Sequence, residues 1–151
     1  MKLFIDTNII MEYLAHRKEY DTVQLIMSDL RDGRHKGVIS QGSIYTLAFL
    51  IEKALKENGI HEPAKTEQLR QILKYVLQIV KPSNVSLDGL EQAIDDNAFS
   101  DIEDSFQYRC AIENKCKVIV TINIGDFSQA EQDNIKVLTP KQFVEKYTQR
   151  K

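Results

Sequence analysis

Three places in the chain carry acidic side chains that could do chemistry. Asp6 follows the apolar run Leu3-Phe4-Ile5. Asp101, Glu103 and Asp104 open a stretch of helical pattern, and Asp126 lies just past the run Val118 to Ile122. If the two runs are strands of a parallel sheet, Asp6 and Asp126 reach the same sheet edge, where open α/β sheets place their ligand crevices. Asp101 and Asp104 are three residues apart and share a helix face. Carboxylates held close together repel, and each disfavours ionisation of the others. A divalent cation removes that cost. Mg²⁺ prefers a few carboxylates together with water and phosphate oxygens, and cation-assisted displacement at phosphorus needs no His or Cys nucleophile. His16, His35 and His61 lie in polar connections without metal-ligand spacing and receive no catalytic role. The plainer alternative is local. Asp, Thr and Asn are good helix caps, so Thr7 or Asn8 could cap while Asp6 binds a cation. Acids in a first helical turn also suit the macrodipole.

The elements that must position these acids read as short strands alternating with helices. Leu3–Ile5 is a strand, and Ile9, Ile10, Tyr13 and Leu14 begin a helix. Tyr20, Val23, Ile26, Met27 and Leu30 give a second helix, with Gly33 as its C-terminal cap. Val38-Ile39 is a buried strand ending at Ser40, followed by a helix over 42–56. Pro63 suits the first turn of the next helix, whose apolar stripe runs from Leu69 to Val80 and stops at Lys81-Pro82. Val85 and Leu87 alternate like a strand, and Leu90, Ala93 and Ile94 like a short helix. Ile102 to Asn114 is helical, with Phe106, Cys110 and Ala111 facing inward. Val118–Ile122 is the most strand-like run. Val137-Leu138 is a last strand, and Pro140 opens a terminal helix. This alternation predicts an α/β fold, a central parallel sheet of about four to five short strands flanked by helices.

The chain has 151 residues, 42% of them hydrophobic, which fits one domain spanning 1–151 with a sizeable core. A formal charge of −2 excludes a general polyanion binder. Arg31, Arg34, His35 and Lys36, or Lys115 and Lys117, could still form a local RNA track, although cations also suit helix ends. Cys110 and Cys116 show neither CxxC spacing nor a disulfide framework, which points to a reduced, cytoplasmic setting. No apolar stretch is long enough for a membrane span. Tyr13, Tyr45 and Phe49 could stack bases, but their helical spacing favours core or partner contacts.

In order and spacing, these motifs resemble PIN-domain proteins of the VapC-like ribonuclease group. The opening Leu3-Phe4-Ile5-Asp6-Thr7-Asn8-Ile9-Ile10, the helix start Asp101-Ile102-Glu103-Asp104-Ser105-Phe106-Gln107, the stretch Ile119-Val120-Thr121-Ile122-Asn123-Ile124-Gly125-Asp126-Phe127 and the ending Val137-Leu138-Thr139-Pro140-Lys141-Gln142-Phe143 carry the similarity. It covers nearly the whole chain. The resemblance implies a PIN-like fold and Mg²⁺- or Mn²⁺-dependent cleavage of RNA, with Asp6, Asp104 and Asp126 as catalytic and metal-binding acids. It implies supporting roles for Asn8, Thr121 and Asn123, and a further ligand from Asp101 or Glu103. Many such proteins are toxins blocked by an antitoxin, and a homodimer is expected.

Two positions depart from that pattern. Thr46 stands where many relatives carry an acid, and Glu52, the first acid of that helix, comes six residues later. Ile122 stands where relatives often carry Arg. A neutral Thr46 implies weak binding of a single cation and slow turnover. The competing reading is therefore a weakened or inactive module that binds RNA or protein. An Asp-based phosphotransfer domain fits poorly. The phosphatase pattern needs an acid at residue 8, which is Asn, and a receiver needs an acid at a strand end where this chain has Ser40.

Overall fold

The computed structural model describes residues 1–148. Its centre is a parallel sheet of five strands: β1 (Lys2–Ile5), β2 (Lys36–Ser40), β3 (Val80–Ser83), β4 (Val118–Val120) and β5 (Lys136–Leu138). Their spatial order is β3-β2-β1-β4-β5. The chain builds outward from β1 to β3 and then restarts on the other side of β1 with β4 and β5. The order therefore reverses at the β1/β4 pair, where Leu3, Phe4 and Ile5 lie beside Val118, Ile119 and Val120. A crevice opens outside the carboxyl ends of strands at such a reversal.

Helices cover both faces, as a parallel sheet requires. They are α1 (Thr7–Leu14), α2 (Tyr20–Arg31), α3 (Gln41–Glu57), α4 (Ala64–Ile79), α5 (Leu87–Asp95), α6 (Ile102–Glu113) and α7 (Pro140–Tyr147). Alternation along the strands divides the core. Leu3, Ile5, Val118 and Val120 join Ile9, Ile26, Met27, Leu47, Val76 and Phe143 on one side. Phe4 and Ile119 join Tyr108, Cys110, Ala111 and Phe127 on the other. Successive strand side chains point to opposite faces, so the central strands feed both layers.

The helix ends follow local rules. Gly33 has φ +76°, and the N–H groups of Gly33 and Arg34 donate to the carbonyls of Leu30 and Asp29, which is the Schellman ending of α2. Thr139 and Gln142 form a capping box at the start of α7.

The third strand departs from the sequence reading. Val80-Lys81-Pro82-Ser83 is β3, not a helix end, and Val85 and Leu87 are not a strand. β3 is a sheet edge, and an edge strand tolerates the donor that Pro82 lacks. Ser86 caps α5 by accepting from the Gly89 N–H at 3.0 Å, which places Leu87 in a helix. On α6 the buried residues include Ser105, Gln107, Tyr108, Cys110 and Ala111, while Phe106 is half-buried.

Candidate active site

Asp6 ends β1 and caps α1 itself, in place of Thr7 or Asn8. Its Oδ1 accepts from the Asn8 N–H at 3.5 Å. Its Oδ2 accepts from the Thr121 hydroxyl at 2.7 Å, across the β1/β4 crevice. Asp6 is only 3% exposed. The cap and the Thr121 bond thus use different oxygens of one carboxylate. Thr121 is fixed in turn, because its Oγ1 accepts from the Asn123 N–H at 3.1 Å. Asn8 and Asn123 are exposed and support this arrangement through their main-chain N–H groups.

The acids of α6 divide their work. Asp101 is exposed and caps the helix, its Oδ1 accepting from the N–H groups of Glu103 at 2.8 Å and Asp104 at 3.4 Å. Glu103 and Asp104 are half-buried. Asp126 is exposed on the segment after β4, where its N–H donates to the Asn123 carbonyl at 3.1 Å.

Electrostatics show that the acids sense one another. Burial raises the pKa of Asp6, and the charge of Asp126 adds to it, against the hydrogen bond from Thr121. Burial, then Asp101, Asp6, Asp126 and Glu103, push Asp104 up to about 7. Glu103 is also raised, by burial and by Asp101 and Asp6, while the hydroxyls of Thr7 and Thr46 work the other way. The neutral Thr46 therefore borders the acid cluster as a hydroxyl neighbour of Glu103.

Sequence reasoning gave no role to Gln107. It is buried on α6, one turn beyond Asp104. Its Oε1 accepts from the Thr7 N–H at 3.3 Å and its Nε2 donates to Asp104 Oδ1 at 3.5 Å. The i, i+3 spacing from Asp104 was the available signal. The basic run falls elsewhere. Lys36 begins β2 and Lys117 precedes β4, so both lie at the amino edge of the sheet, opposite Asp6. Arg34 is engaged with Asp29 at 3.4 Å. Tyr13 joins a cluster with Tyr20 and Tyr75, whereas Tyr45 and Phe49 are 71% and 68% exposed and are not core.

A family model of the PIN domain matches residues 2–125, from β1 to just before Asp126. The chain belongs to the PIN-domain family. Among proteins similar to this PIN domain is Ribonuclease VapC1 of Aquifex aeolicus (strain VF5), 22% identical over 151 residues, covering 97% of this chain and 95% of that protein. Among solved structures, that of VapBC2 from Rickettsia felis, bound to a DNA fragment from their promoter, aligns with a TM-score of 0.59 and 16% identity. It covers 92% of this chain and 98% of that one. The VapC-like resemblance and the PIN-like fold stand on these similarities.

The donor chemistry suits the divalent cation implied by the family. Asp6, Glu103, Asp104 and Asp126 offer oxygen only, and no cation is among the causes that shift the first three. Thr7 Oγ1 is a buried polar atom with no partner in hydrogen-bond geometry, although it lies close enough to Glu103 to favour its charged form. Among the described residues, no group of three acidic, histidine or cysteine side chains is placed to hold a metal ion by itself. An open site is what Mg²⁺ uses, with one or two carboxylates and the remaining positions left to water and phosphate.

Proposed function

We propose that this PIN domain is a Mg²⁺- or Mn²⁺-dependent endoribonuclease acting in the cytoplasm as the toxin of a toxin–antitoxin pair, and that it works as a homodimer. The observation that carries the reading is the acid cluster at the β1/β4 crevice. Burial and the neighbouring acids raise the proton affinity of Asp6, Glu103 and Asp104, with no protein cation beside them to offset it. The ribonuclease name of the Aquifex relative and the two-component VapBC2 assembly support the RNA substrate and the antitoxin partner.

Asp6, Asp104 and Asp126 would hold the cation, with Glu103 beside them. When bound, a divalent cation neutralises the acids and polarises the phosphodiester for attack by water. Thr121 holds the Asp6 carboxylate in one orientation. Asp126 lies exposed beyond β4, where a substrate phosphate could approach it. Thr46 favours a second reading, a weakened module that binds RNA without cutting it, because α3 contributes a hydroxyl to the cluster and not a carboxylate.

RNA cleavage with Mn²⁺, with Mg²⁺ and with chelator separates the two. Cleavage should require the cation and fall at least about 100-fold in Asp104→Asn, since even groups that only support metal ligands cost about 10–100-fold. Folded, partner-free protein that binds RNA but leaves it intact would establish the binding module. Cleavage surviving both chelator and Asp104→Asn would refute the site.

A further inference from the structure

We propose that Gln107 is a positioning residue that fixes the separation of Asp6 and Asp104 by bridging the Thr7 N–H, next to Asp6 in the chain, and the Asp104 carboxylate. The inference deepens the nuclease reading and rests on it. Gln107 is 2% exposed, so its carboxamide must find partners inside the protein. The Thr7 N–H belongs to the first turn of α1, where no acceptor exists within the helix. Gln107 Oε1 accepts from it at 3.3 Å. That bond settles which way the amide points. Turned over, the amide would set N–H against N–H and its oxygen against carboxylates.

With the oxygen committed to Thr7, the Nε2 group is left to donate toward the acids. One bond runs to Asp104 Oδ1 at 3.5 Å, and the same side chain lies close enough to Asp6 to favour its charged form. A primary amide is both donor and acceptor, so one group bonds to two sites, one on α1 and one on α6. α6 is thereby tied to the start of α1 at the level where Asp6 leaves the sheet. A lysine in this place would neutralise the acids and compete with a cation. A glutamine gives hydrogen bonds without adding charge, and it leaves the cluster anionic for the incoming ion.

The test compares Mn²⁺ affinity by calorimetry with single-turnover RNA cleavage in four proteins: the parent, Gln107→Met, Asp104→Asn and Ser105→Ala. Methionine is close in volume to glutamine but makes none of its bonds. Ser105 is equally buried on α6, but its hydroxyl donates to the Ala93 carbonyl at 2.7 Å, away from the acids. Gln107→Met should weaken Mn²⁺ binding about tenfold or more and lower the cleavage rate at saturating RNA. The half-saturating RNA concentration should stay the same, and Ser105→Ala should leave both readings at parent values. Unchanged Mn²⁺ affinity in a folded Gln107→Met would overturn the proposal, as would an equal loss in Ser105→Ala, which would mark a general effect on α6. Parent-like Mn²⁺ affinity in Asp104→Asn would remove the metal-site reading itself, and Gln107 would fall with it. Should Gln107→Met not fold, the parent protein still decides. The side-chain amide protons of Gln107, assigned by NMR, should exchange slowly with solvent and shift when Mg²⁺ is added. Rapid exchange and no shift would refute the role.

Discussion

Two buried aspartates in this chain meet opposite surroundings. Asp29, on α2, is 1% exposed. Its Oδ1 lies 3.4 Å from the Arg34 guanidinium, and its Oδ2 accepts from the Thr148 hydroxyl at 2.9 Å. Asp6 is 3% exposed and takes a similar hydroxyl bond, from Thr121 at 2.7 Å. Its charged neighbours, however, are acids, and its pKa is raised by burial and by Asp126. Burying a charge is costly unless it is paired. At Asp29 the protein supplies the counter-charge, and the residue ties α2 to the end of α7. At Asp6 the cost is left standing, and an external cation can remove it. Burial alone therefore does not separate the two aspartates; the sign of the surrounding charge does.

The largest expected effect follows from that missing counter-charge. Mn²⁺ or Mg²⁺ at about 100 times its Kd should raise the melting temperature by roughly 5–10 °C for a chain of this size. Asp104→Asn should lose most of that rise, while Asp29→Asn should keep it. In chelator, pH should act in the opposite direction to the cation. A carboxyl whose folded pKa exceeds its unfolded one stabilises the fold while protonated. For Asp104 that stability is present below the ordinary value of 3.8 and is lost as pH rises through about 7. The melting temperature in chelator should therefore fall from pH 5 to pH 8, and Asp104→Asn should flatten the slope. A cation shift of equal size in Asp104→Asn, or a rising slope in the parent, would break the contrast between the two aspartates.

A smaller effect tests the pair directly by thermal melting in chelator. Asp6→Asn keeps a good cap and removes a repelled charge, which outweighs the charged acceptor lost to Thr121, so it should raise the melting temperature by a few degrees, ~2–4 °C per kcal/mol gained. Asp29→Asn should cost about 1–3 kcal/mol, because its partners lose a charged acceptor. Loss of stability in both would mean that Asp6 is as structural as Asp29. The smallest effect concerns Thr46. Thr46→Glu adds an acid beside Glu103 and should tighten Mn²⁺ binding a few-fold by calorimetry, on the order of 1 kcal/mol. No change would place Thr46 outside the reach of the ion.

The legible parts were those with local causes. Alternation and caps located β1, α2 and α7, because apolar period and terminal hydrogen bonding act over a few residues. β3 was hidden, since Pro82 looks like a stop until the strand is known to lie at an edge. Tyr45 and Phe49 have core-like spacing, yet Leu47 and Ile51 occupy the inward face of α3 and leave both rings outside.

The sequence by itself determined the family, the alternation of strands and helices, and which acids to watch, because these depend on residue type and short-range spacing. Only the tertiary structure decided which bonds and neighbours each acid has. Asp101 caps α6 while Asp6 both caps α1 and takes the Thr121 hydroxyl, and Gln107 turns from a motif letter into a contact between α1 and α6. The reason is distance through the chain. Thr121 and Gln107 reach the first turn of α1 across separations of 115 and 100 residues, and no local pattern encodes contacts made by strand order and helix packing.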